Sequence, residues 1–114
     1  MKRIDVIIAH DWLVDINEMM RKHKIGGITF YNIKGRGRSK LEPVSVGRGV
    51  KRYTPEFQTR IKCEILVPDR MVEPIVKELT KVINAGSAPD GKIFVSEVVA
   101  AYDIKTKSTG DIVL

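Results

Sequence analysis

The sequence has few of the residues that build disulfides, metal clusters and membrane spans. Its 114 residues include one cysteine, Cys63, and two histidines, which excludes an internal disulfide and leaves no CxxC motif or Cys/His cluster for a metal. Apolar runs extend over only a few residues, far short of the roughly 20 needed for a transmembrane helix. Asp5 and then Asp11 interrupt the apolar start before a signal-peptide core forms. We therefore expect a cytoplasmic protein with no bound metal cluster.

Length and composition are those of one soluble domain. The chain is 43% hydrophobic and 30% charged, which is typical of a globular protein rather than a disordered one. A chain of this length buries roughly 65% of the surface that its unfolded form exposes. We expect a single domain over residues 1–114, with no need of a covalent staple.

Acidic residues are nearly absent from residues 34–53, KGRGRSKLEPVSVGRGVKRY, where Glu42 is the only one. Seven of the 20 basic residues lie in this basic segment, namely Lys34, Arg36, Arg38, Lys40, Arg48, Lys51 and Arg52. Its net charge of +6 equals the formal net charge of the whole chain. The rest of the protein is therefore neutral overall, and four glycines and a proline indicate that the charge is carried by a loop.

Hydrophobic periodicity predicts six elements in the order β-α-β-β-α-β. Alternation predicts strands over residues 3–8, 28–33, 57–67 and 92–104. Helical spacing from Trp12 predicts a helix with Asp11 as N-cap and Gly26-Gly27 at its end. A second helix follows Pro68-Asp69 and reaches Ile83; its early Pro74 falls where a missing N–H matters least.

This order is typical of an α+β, ferredoxin-like fold, with two helices on one face of a four-stranded antiparallel sheet. The other face of the predicted sheet carries apolar side chains, including Ile7, Leu66, Phe94 and Val98. A surface of this kind is usually covered. We therefore expect it to be buried between subunits.

Four sequence blocks resemble the PII nitrogen-regulatory signalling family over nearly the full length of the chain. They are MKRIDVII at residues 1–8, IKGRGR at 33–38, VPD at 67–69 and PDGKIFV at 89–95. The resemblance implies a ferredoxin-like trimer with nucleotide sites in the clefts between subunits. It also implies a T-loop at about residues 36–55 that contacts partners such as ammonium transporters or nitrogen-assimilation enzymes, a B-loop at about 85–92 and a C-terminal tail at about 105–114.

The same resemblance implies a set of nucleotide-binding residues. They are Thr29, Gly35, Gly37, Arg38, Glu64, Asp90, Gly91, Lys92 and Lys105. Glycines permit close approach of the backbone to phosphate, and a lysine supplies a point charge. Taken alone, the same residues are equally typical of ordinary loop glycines and strand-end cations.

Departures from the family pattern bear on which effector binds. Pro89 lacks the N–H that a phosphate would meet in the B-loop, and Asp103 stands where a phosphate-binding arginine is expected. ADP or AMP is therefore an alternative to ATP. Ser39 replaces the T-loop glutamine through which the family holds Mg²⁺ and 2-oxoglutarate, so binding of Mg²⁺ is uncertain. Arg60, by contrast, falls on the family's residue that binds the distal carboxylate of 2-oxoglutarate.

The predicted T-loop is two residues longer than is usual in the family. The resemblance assigns partner binding to it, and the charge pattern singles out Lys40, Arg48, Lys51 and Arg52. Tyr53 falls on the tyrosine that many bacterial relatives uridylylate, although it also fits a tyrosine packed at the base of the loop.

Three functions other than that of a trimeric nucleotide sensor can be compared with the sequence. Nucleic-acid binding would suit the GRGR motif and the positive charge, but the sheet lacks an aromatic stacking platform. An enzyme is not expected, because His10, His23 and Cys63 have no evident catalytic partners. A PII-like regulator with an altered effector set, acting on another transporter or enzyme, remains an alternative.

Overall fold

The structure is a computed structural model that describes residues 1–38, 44–46, 51–53, 56–84 and 91–114, with only the backbone of residues 44–46, 51–53 and 84. Six strands and two α-helices follow in the order β1 (Lys2–Ile8), α1 (Leu13–Lys22), β2 (Thr29–Gly35), β3 (Val44–Val46), β4 (Lys51–Tyr53), β5 (Gln58–Val67), α2 (Val72–Asn84) and β6 (Gly91–Glu97). No helix in these ranges is long and apolar enough to cross a membrane.

Four strands form one antiparallel sheet in the order β2-β5-β1-β6. Alternate residues of β1 and β5 point to the helix side and are buried: Ile4, Val6, Ile8, Ile61, Cys63, Ile65 and Val67. They form one core with residues of both helices. The predicted α+β arrangement of a four-stranded antiparallel sheet and two helices is therefore confirmed.

Helix α1 begins and ends differently from the prediction. A 3₁₀ turn at His10–Trp12 precedes it, and no side chain caps either start, so Asp11 is not an N-cap. The amide of Lys24 donates to the carbonyl of Arg21, and that of Ile25 to that of Met20, with Lys24 in the left-handed region at φ 58°. This Schellman motif ends the helix before the glycine pair is reached.

Helix α2 follows a 3₁₀ turn at Asp69–Met71, and Pro74 lies in its first turn, as predicted. Ile75, Leu79 and Ile83 form its buried stripe. Asp69 is not a helix cap; its carboxylate pairs instead with the N-terminal ammonium group at 2.8 Å. The hydrogen bond from that ammonium lowers the pKa of Asp69 and joins the start of β1 to the start of the second helical segment.

The last strand is much shorter than the predicted 92–104, because β6 ends at Glu97. Beyond it, Tyr102 and Thr109 form an isolated antiparallel bridge. The carboxylate of Asp103 accepts hydrogen bonds from the backbone amides of Lys105 and Thr106, each at 2.8 Å. Residues 102–109 thus form a small hairpin, which includes the start of the predicted C-terminal tail.

The basic segment contains two short strands that periodicity did not predict. β3 and β4 pair antiparallel, with Val44 opposite Tyr53 and Val46 opposite Lys51, and form a two-stranded sheet separate from the main one. Glycine content favoured a loop here, whereas the VSV triplet is typical of a strand.

The sheet face away from the helices, called here the open face, is mixed in character. Leu66 and Phe94 are 42% and 55% exposed, as expected for an apolar face in need of cover. Asp5 lies between them and is 7% exposed, with its carboxylate 3.0 Å from Nε of Arg3 and 3.8 Å from Nζ of Lys62. An ion-pair network therefore runs through the middle of this face.

Candidate functional site

A cleft of about 570 Å³ lies at one end of the sheet, where β1 and β2 end and β5 and β6 begin. This basic cleft is lined by Ile7, Ile33, Gly35, Arg36, Gly37, Arg38, Gln58, Arg60, Gly91, Lys92 and Phe94. Strand register explains the grouping, because Ile33 pairs with Arg60 and Ile7 with Lys92. Five of the predicted nucleotide-binding residues, Gly35, Gly37, Arg38, Gly91 and Lys92, are thus brought together.

Charge and apolar surface are both present in the cleft. Four cationic side chains contribute, from Arg36, Arg38, Arg60 and Lys92, and none of the described lining residues is acidic. Ile7, Ile33 and Phe94 supply apolar surface. A cleft lined by one sign of charge concentrates ions of the opposite sign, so this one suits a ligand that combines an anionic group with an apolar ring or chain.

The glycines of the cleft have different physical roles. A Cβ at Gly91 would lie 2.8 Å from Cγ2 of Ile8 and 2.9 Å from the backbone oxygen of Ile7, so only glycine fits between β6 and β1. Gly35 and Gly37 have nothing within 4 Å of such a Cβ, and their backbones are not left-handed. At these two positions the absent side chain leaves open space beside the cleft rather than permitting a turn.

Arg36 has an acidic partner, Glu56, which lies just beyond the C-terminal end of the basic segment. Its guanidinium lies 3.8 Å from the Glu56 carboxylate, and the two side chains are 67% and 70% exposed. An exposed pair at this distance contributes at most about 1 kcal/mol. Arg36 is therefore held loosely at the mouth of the cleft.

Three other predicted nucleotide contacts that the structure describes, Thr29, Glu64 and Lys105, do not line this cleft. Thr29 and Glu64 pair with each other across β2 and β5, and the Tyr31 hydroxyl donates to the Glu64 carboxylate at 2.8 Å. The row of Tyr31 and Lys62 separates them from Ile33 and the cleft. Lys105 lies in the C-terminal hairpin. Within one chain, the described residues of the predicted site therefore fall into two sets: those that line the cleft, and Thr29, Glu64 and Lys105, which do not.

Several predicted residues cannot be placed from the described structure. The residues that lie outside the described ranges are Asp90, Ser39, Lys40 and Arg48, together with Pro89, which departs from the family's B-loop pattern. Lys51, Arg52 and Tyr53 are described by their backbone in β4. Arg60, predicted to bind an effector carboxylate, does line the cleft.

Asp103, which replaces an expected arginine, has a structural role. Its pKa is lowered by the hydrogen bond from the amide of Thr106 and further by that from Lys105. The carboxylate therefore stays ionised at neutral pH and shapes the hairpin that carries Lys105. This turn therefore places a negative charge two residues from Lys105, the residue predicted to bind phosphate.

Sequence reasoning missed five of the cleft residues as site residues: Ile7, Ile33, Arg36, Gln58 and Phe94. Arg36 lies inside the KGRGR motif and could have been found there. Ile7 and Phe94 were assigned to the open face by alternation, and their closeness to Lys92 becomes evident only from the register of β1 with β6.

The surroundings of His23 and Cys63 indicate structural roles for both residues. His23 contacts the carboxylate of Glu78, which Lys22 also reaches at 3.2 Å, and this links α1 to α2. Cys63 is fully buried, and burial raises the pKa of its thiol to about 11. In the described part of the chain, no three His, Cys, Asp or Glu side chains lie close enough together to hold a metal ion.

Comparison with known proteins adds a family match to this geometry. Residues 1–108 match the family model described as nitrogen regulatory protein P-II. The chain is 36% identical over 111 residues to nitrogen regulatory protein P-II 1 of Escherichia coli strain K12 and 32% identical to nitrogen regulatory protein P-II of Rhodobacter capsulatus, covering 97% of each chain in both cases.

Solved structures of similar fold agree with this match. The structure of B. subtilis GlnK is 27% identical, with a TM-score of 0.77 over 99% of this chain and 97% of that one. The structure of the B. subtilis GlnK–ATP complex has a TM-score of 0.76 at 24% identity, over 99% and 96% of the two chains, and at that identity it bears on the fold alone.

Proposed function

Because the chain belongs to the nitrogen regulatory protein P-II family, whose members are signalling regulators and not enzymes, we propose that it is a trimeric sensor of nitrogen or energy status. Adenine nucleotide binds in clefts between subunits, and the T-loop at residues 36–55 carries the signal to a cytoplasmic partner. The observation that carries this proposal is the basic cleft, which unites Gly35, Gly37, Arg38, Gly91 and Lys92.

The make-up of the cleft supports a nucleotide as its ligand. Apolar side chains from β1, β2 and β6 offer contact to a base or ribose, while the cations and Gly37 suit phosphate oxygens. A ligand with both an aromatic ring and several negative charges uses all of this surface.

The separation of the predicted site into two groups supports assembly from neighbouring subunits. Thr29, Glu64 and Lys105 complete the site when they come from the adjacent chain. Exposed apolar residues after β6 favour such contacts, since Val99 and Ile104 are 99% and 96% exposed. The proposed trimer therefore buries apolar surface and completes each nucleotide site in the same step.

Analytical ultracentrifugation tests the trimer. We expect a mass about three times that of the 12.8 kDa chain, and a lower mass for Val99→Asp. Val14→Asp, at a position on α1 that is 67% exposed, is the matched control and should leave the mass unchanged. A monomeric wild-type protein would contradict the proposal.

The effector set is the second part of the proposal. Asp103 and Pro89 both disfavour a terminal phosphate, which supports ADP or AMP beside ATP. Arg60 in the cleft supports capture of a carboxylate such as that of 2-oxoglutarate, while Ser39 offers no amide for the family's Mg²⁺ arrangement. These departures also favour the alternative of a PII-like regulator with altered effectors that controls another transporter or enzyme.

Isothermal titration calorimetry with ATP, ADP, AMP and 2-oxoglutarate, alone and combined with Mg²⁺, tests the ligand set. Lys92→Gln should weaken nucleotide binding about tenfold, since hydrogen bonds to charged groups contribute ~1.5–3 kcal/mol. Lys81→Gln removes the same charge from an exposed position on α2 and should bind like wild type. If no adenine nucleotide bound the wild-type protein, the proposal would lose its basis.

Partner binding is assigned to the positive charge of the T-loop, including Lys40, Arg48, Lys51 and Arg52. The basic segment at residues 34–53, which overlaps this loop, carries a net charge of +6 on an otherwise neutral chain, and this charge suits an acidic or carbonyl-lined surface, such as that of an ammonium transporter or a nitrogen-assimilation enzyme. Tyr53 is a candidate for modification. Intact-mass spectrometry of protein purified from nitrogen-starved cells would reveal an added nucleotidyl group at this tyrosine.

A further inference from the structure

Arg36 lines the basic cleft and also has an acidic partner, Glu56, that is not among the residues lining it. It lies between Gly35 and Gly37, where absent side chains leave space beside the backbone. Its guanidinium is 67% exposed and 3.8 Å from the Glu56 carboxylate, beyond the ordinary length of a charge-assisted hydrogen bond. The side chain is therefore near the ligand space without being fixed by its partner.

We propose that Arg36 determines how the cleft discriminates ligands by their number of phosphates, and that Glu56 competes with the ligand for it. This inference rests on the proposed nucleotide site. A phosphate chain that extends toward the mouth of the cleft takes the guanidinium from Glu56. The planar guanidinium of an arginine then binds two phosphate oxygens at once. The contact with the Glu56 carboxylate, at 3.8 Å, does not use this two-point geometry.

The balance of energies favours this exchange. The Arg36–Glu56 pair is exposed on both sides and is therefore weak and screened by salt. A phosphate in the cleft is close to Arg38, Arg60 and Lys92 as well, so it is already held where Arg36 reaches it. Arg36 thereby restores a cationic contact in a chain whose B-loop has lost a donor at Pro89.

The discrimination follows from where Arg36 lies. Ligands with one phosphate are held by the two cations that lie within strands, Arg60 in β5 and Lys92 in β6, whereas Arg36 lies just beyond the end of β2. Ligands with two or three phosphates extend outward and gain the Arg36 contact. The effect of Arg36 on affinity therefore grows with the number of phosphates. A general effect of positive charge would instead act on AMP, ADP and ATP alike, in proportion to the net charge of each ligand.

The test is calorimetric titration of AMP, ADP and ATP into wild type, Arg36→Gln, Glu56→Gln and the double variant. Arg36→Gln should weaken ATP about tenfold and AMP less than twofold, the first being the size expected for one lost charge-assisted contact. Glu56→Gln should strengthen ATP by up to about fivefold. In the double variant, Glu56→Gln should have no further effect, because its competitor is gone.

Matched controls carry the same charge changes on α1, across the sheet from the cleft: Arg21→Gln and Glu18→Gln, both at exposed positions. They should leave all three affinities within about twofold of wild type. Circular dichroism verifies that each variant is folded, and the high exposure of both side chains predicts that it is.

Three results would overturn the inference while leaving the nucleotide site intact. One is equal weakening of AMP and ATP by Arg36→Gln, another is an effect no larger than that of Arg21→Gln, and the third is an unchanged gain from Glu56→Gln in the absence of Arg36. Absence of nucleotide binding by the wild-type protein would overturn both the proposed function and this inference.

Discussion

Gly91 lies where β6 begins, directly opposite Ile8 at the end of β1, and the structure predicts what a single methyl group would do there. A Cβ at this position would lie 2.8 Å from Cγ2 of Ile8 and 2.9 Å from the carbonyl oxygen of Ile7. The Ile8 side chain is fully buried, and the other contact is backbone, so neither neighbour moves without disturbing the sheet or the core. We expect Gly91→Ala to lower the free energy of unfolding by about 2 kcal/mol, the middle of the range for overpacking.

Thermal unfolding followed by circular dichroism measures this loss. For a domain of this size, about 2 kcal/mol corresponds to a fall in Tm of about 8 °C. Gly27→Ala is the matched control, because nothing lies within 4 Å of its added Cβ and its backbone is not left-handed. Its Tm should differ from wild type by no more than about 2 °C. Both variants are compared at one protein concentration, since assembly makes Tm concentration-dependent.

The result that refutes this reasoning is a Gly91→Ala protein as stable as Gly27→Ala. The close contacts would then relax without cost. The same variant can also be tested for ligand binding, because Gly91 and Ile7 both line the basic cleft. A shift between β1 and β6 should also weaken nucleotide binding in Gly91→Ala, whereas Gly27→Ala should bind as wild type does.

Three further outcomes test other parts of the structure. The thiol of Cys63, whose pKa burial raises to about 11, should resist Ellman's reagent in the native protein and react once urea unfolds it; rapid native reaction would contradict its position. The hydrogen bond from His23, and then Lys22, lowers the pKa of Glu78. This carboxylate thus stabilises the fold above its ordinary pKa of 4.5, and the contribution is lost as the pH falls through the lower folded value. Glu78→Gln should flatten that acid limb in urea titrations, and an unchanged slope would argue against the pairing. Asp103→Asn keeps the acceptor oxygen of the hairpin but removes the charge, so calorimetry should show ATP gaining about fivefold over AMP; an unchanged ratio would place Asp103 away from the terminal phosphate.

Periodicity predicted the main sheet and both helices because each buries one regular face. Ile4, Val6 and Ile8 alternate in β1 and are all buried, and Ile75, Leu79 and Ile83 recur at helical spacing in α2. These patterns record burial, which the sequence carries in its apolar positions. They do not record where an element ends.

Ends and irregular segments were predicted less well because local hydrogen bonds decide them. Helix α1 ends at a Schellman motif with Lys24 at the left-handed position, although Gly26 is the residue that sequence rules favour. Apolar alternation continues past Glu97, yet the carboxylate of Asp103 folds the following residues into a hairpin. The strand pattern therefore extends past Glu97, the last residue of β6 that pairs with β1.

The candidate site was predicted in part, through motifs rather than periodicity. Gly35, Arg38 and Lys92 were assigned from short blocks that resemble a family, and the sheet brings them to one cleft. Arg36 was missed although it lies in the KGRGR motif, and its approach to Glu56 depends on the pairing of β2 with β5, which sets Gly35 opposite Gln58. Contacts between residues far apart in sequence follow from strand register, which no single block specifies.

The basic cleft draws on four stretches of chain that are far apart in sequence, around residues 7, 33–38, 58–60 and 91–94. The β2–β5 pair and the β1–β6 pair each supply only part of it, so the complete cleft forms only when the strand order β2-β5-β1-β6 is complete. Such non-local pairing is slow to form. Ligand capture therefore reports finished folding, and a ligand at a hundred times its Kd would stabilise the native chain by ~2.7 kcal/mol. If the proposed effector binds in this cleft, a newly made chain becomes responsive to it at the stage of folding at which it becomes resistant to proteolysis, and lack of the effector leaves the protein both inactive in signalling and easier to degrade.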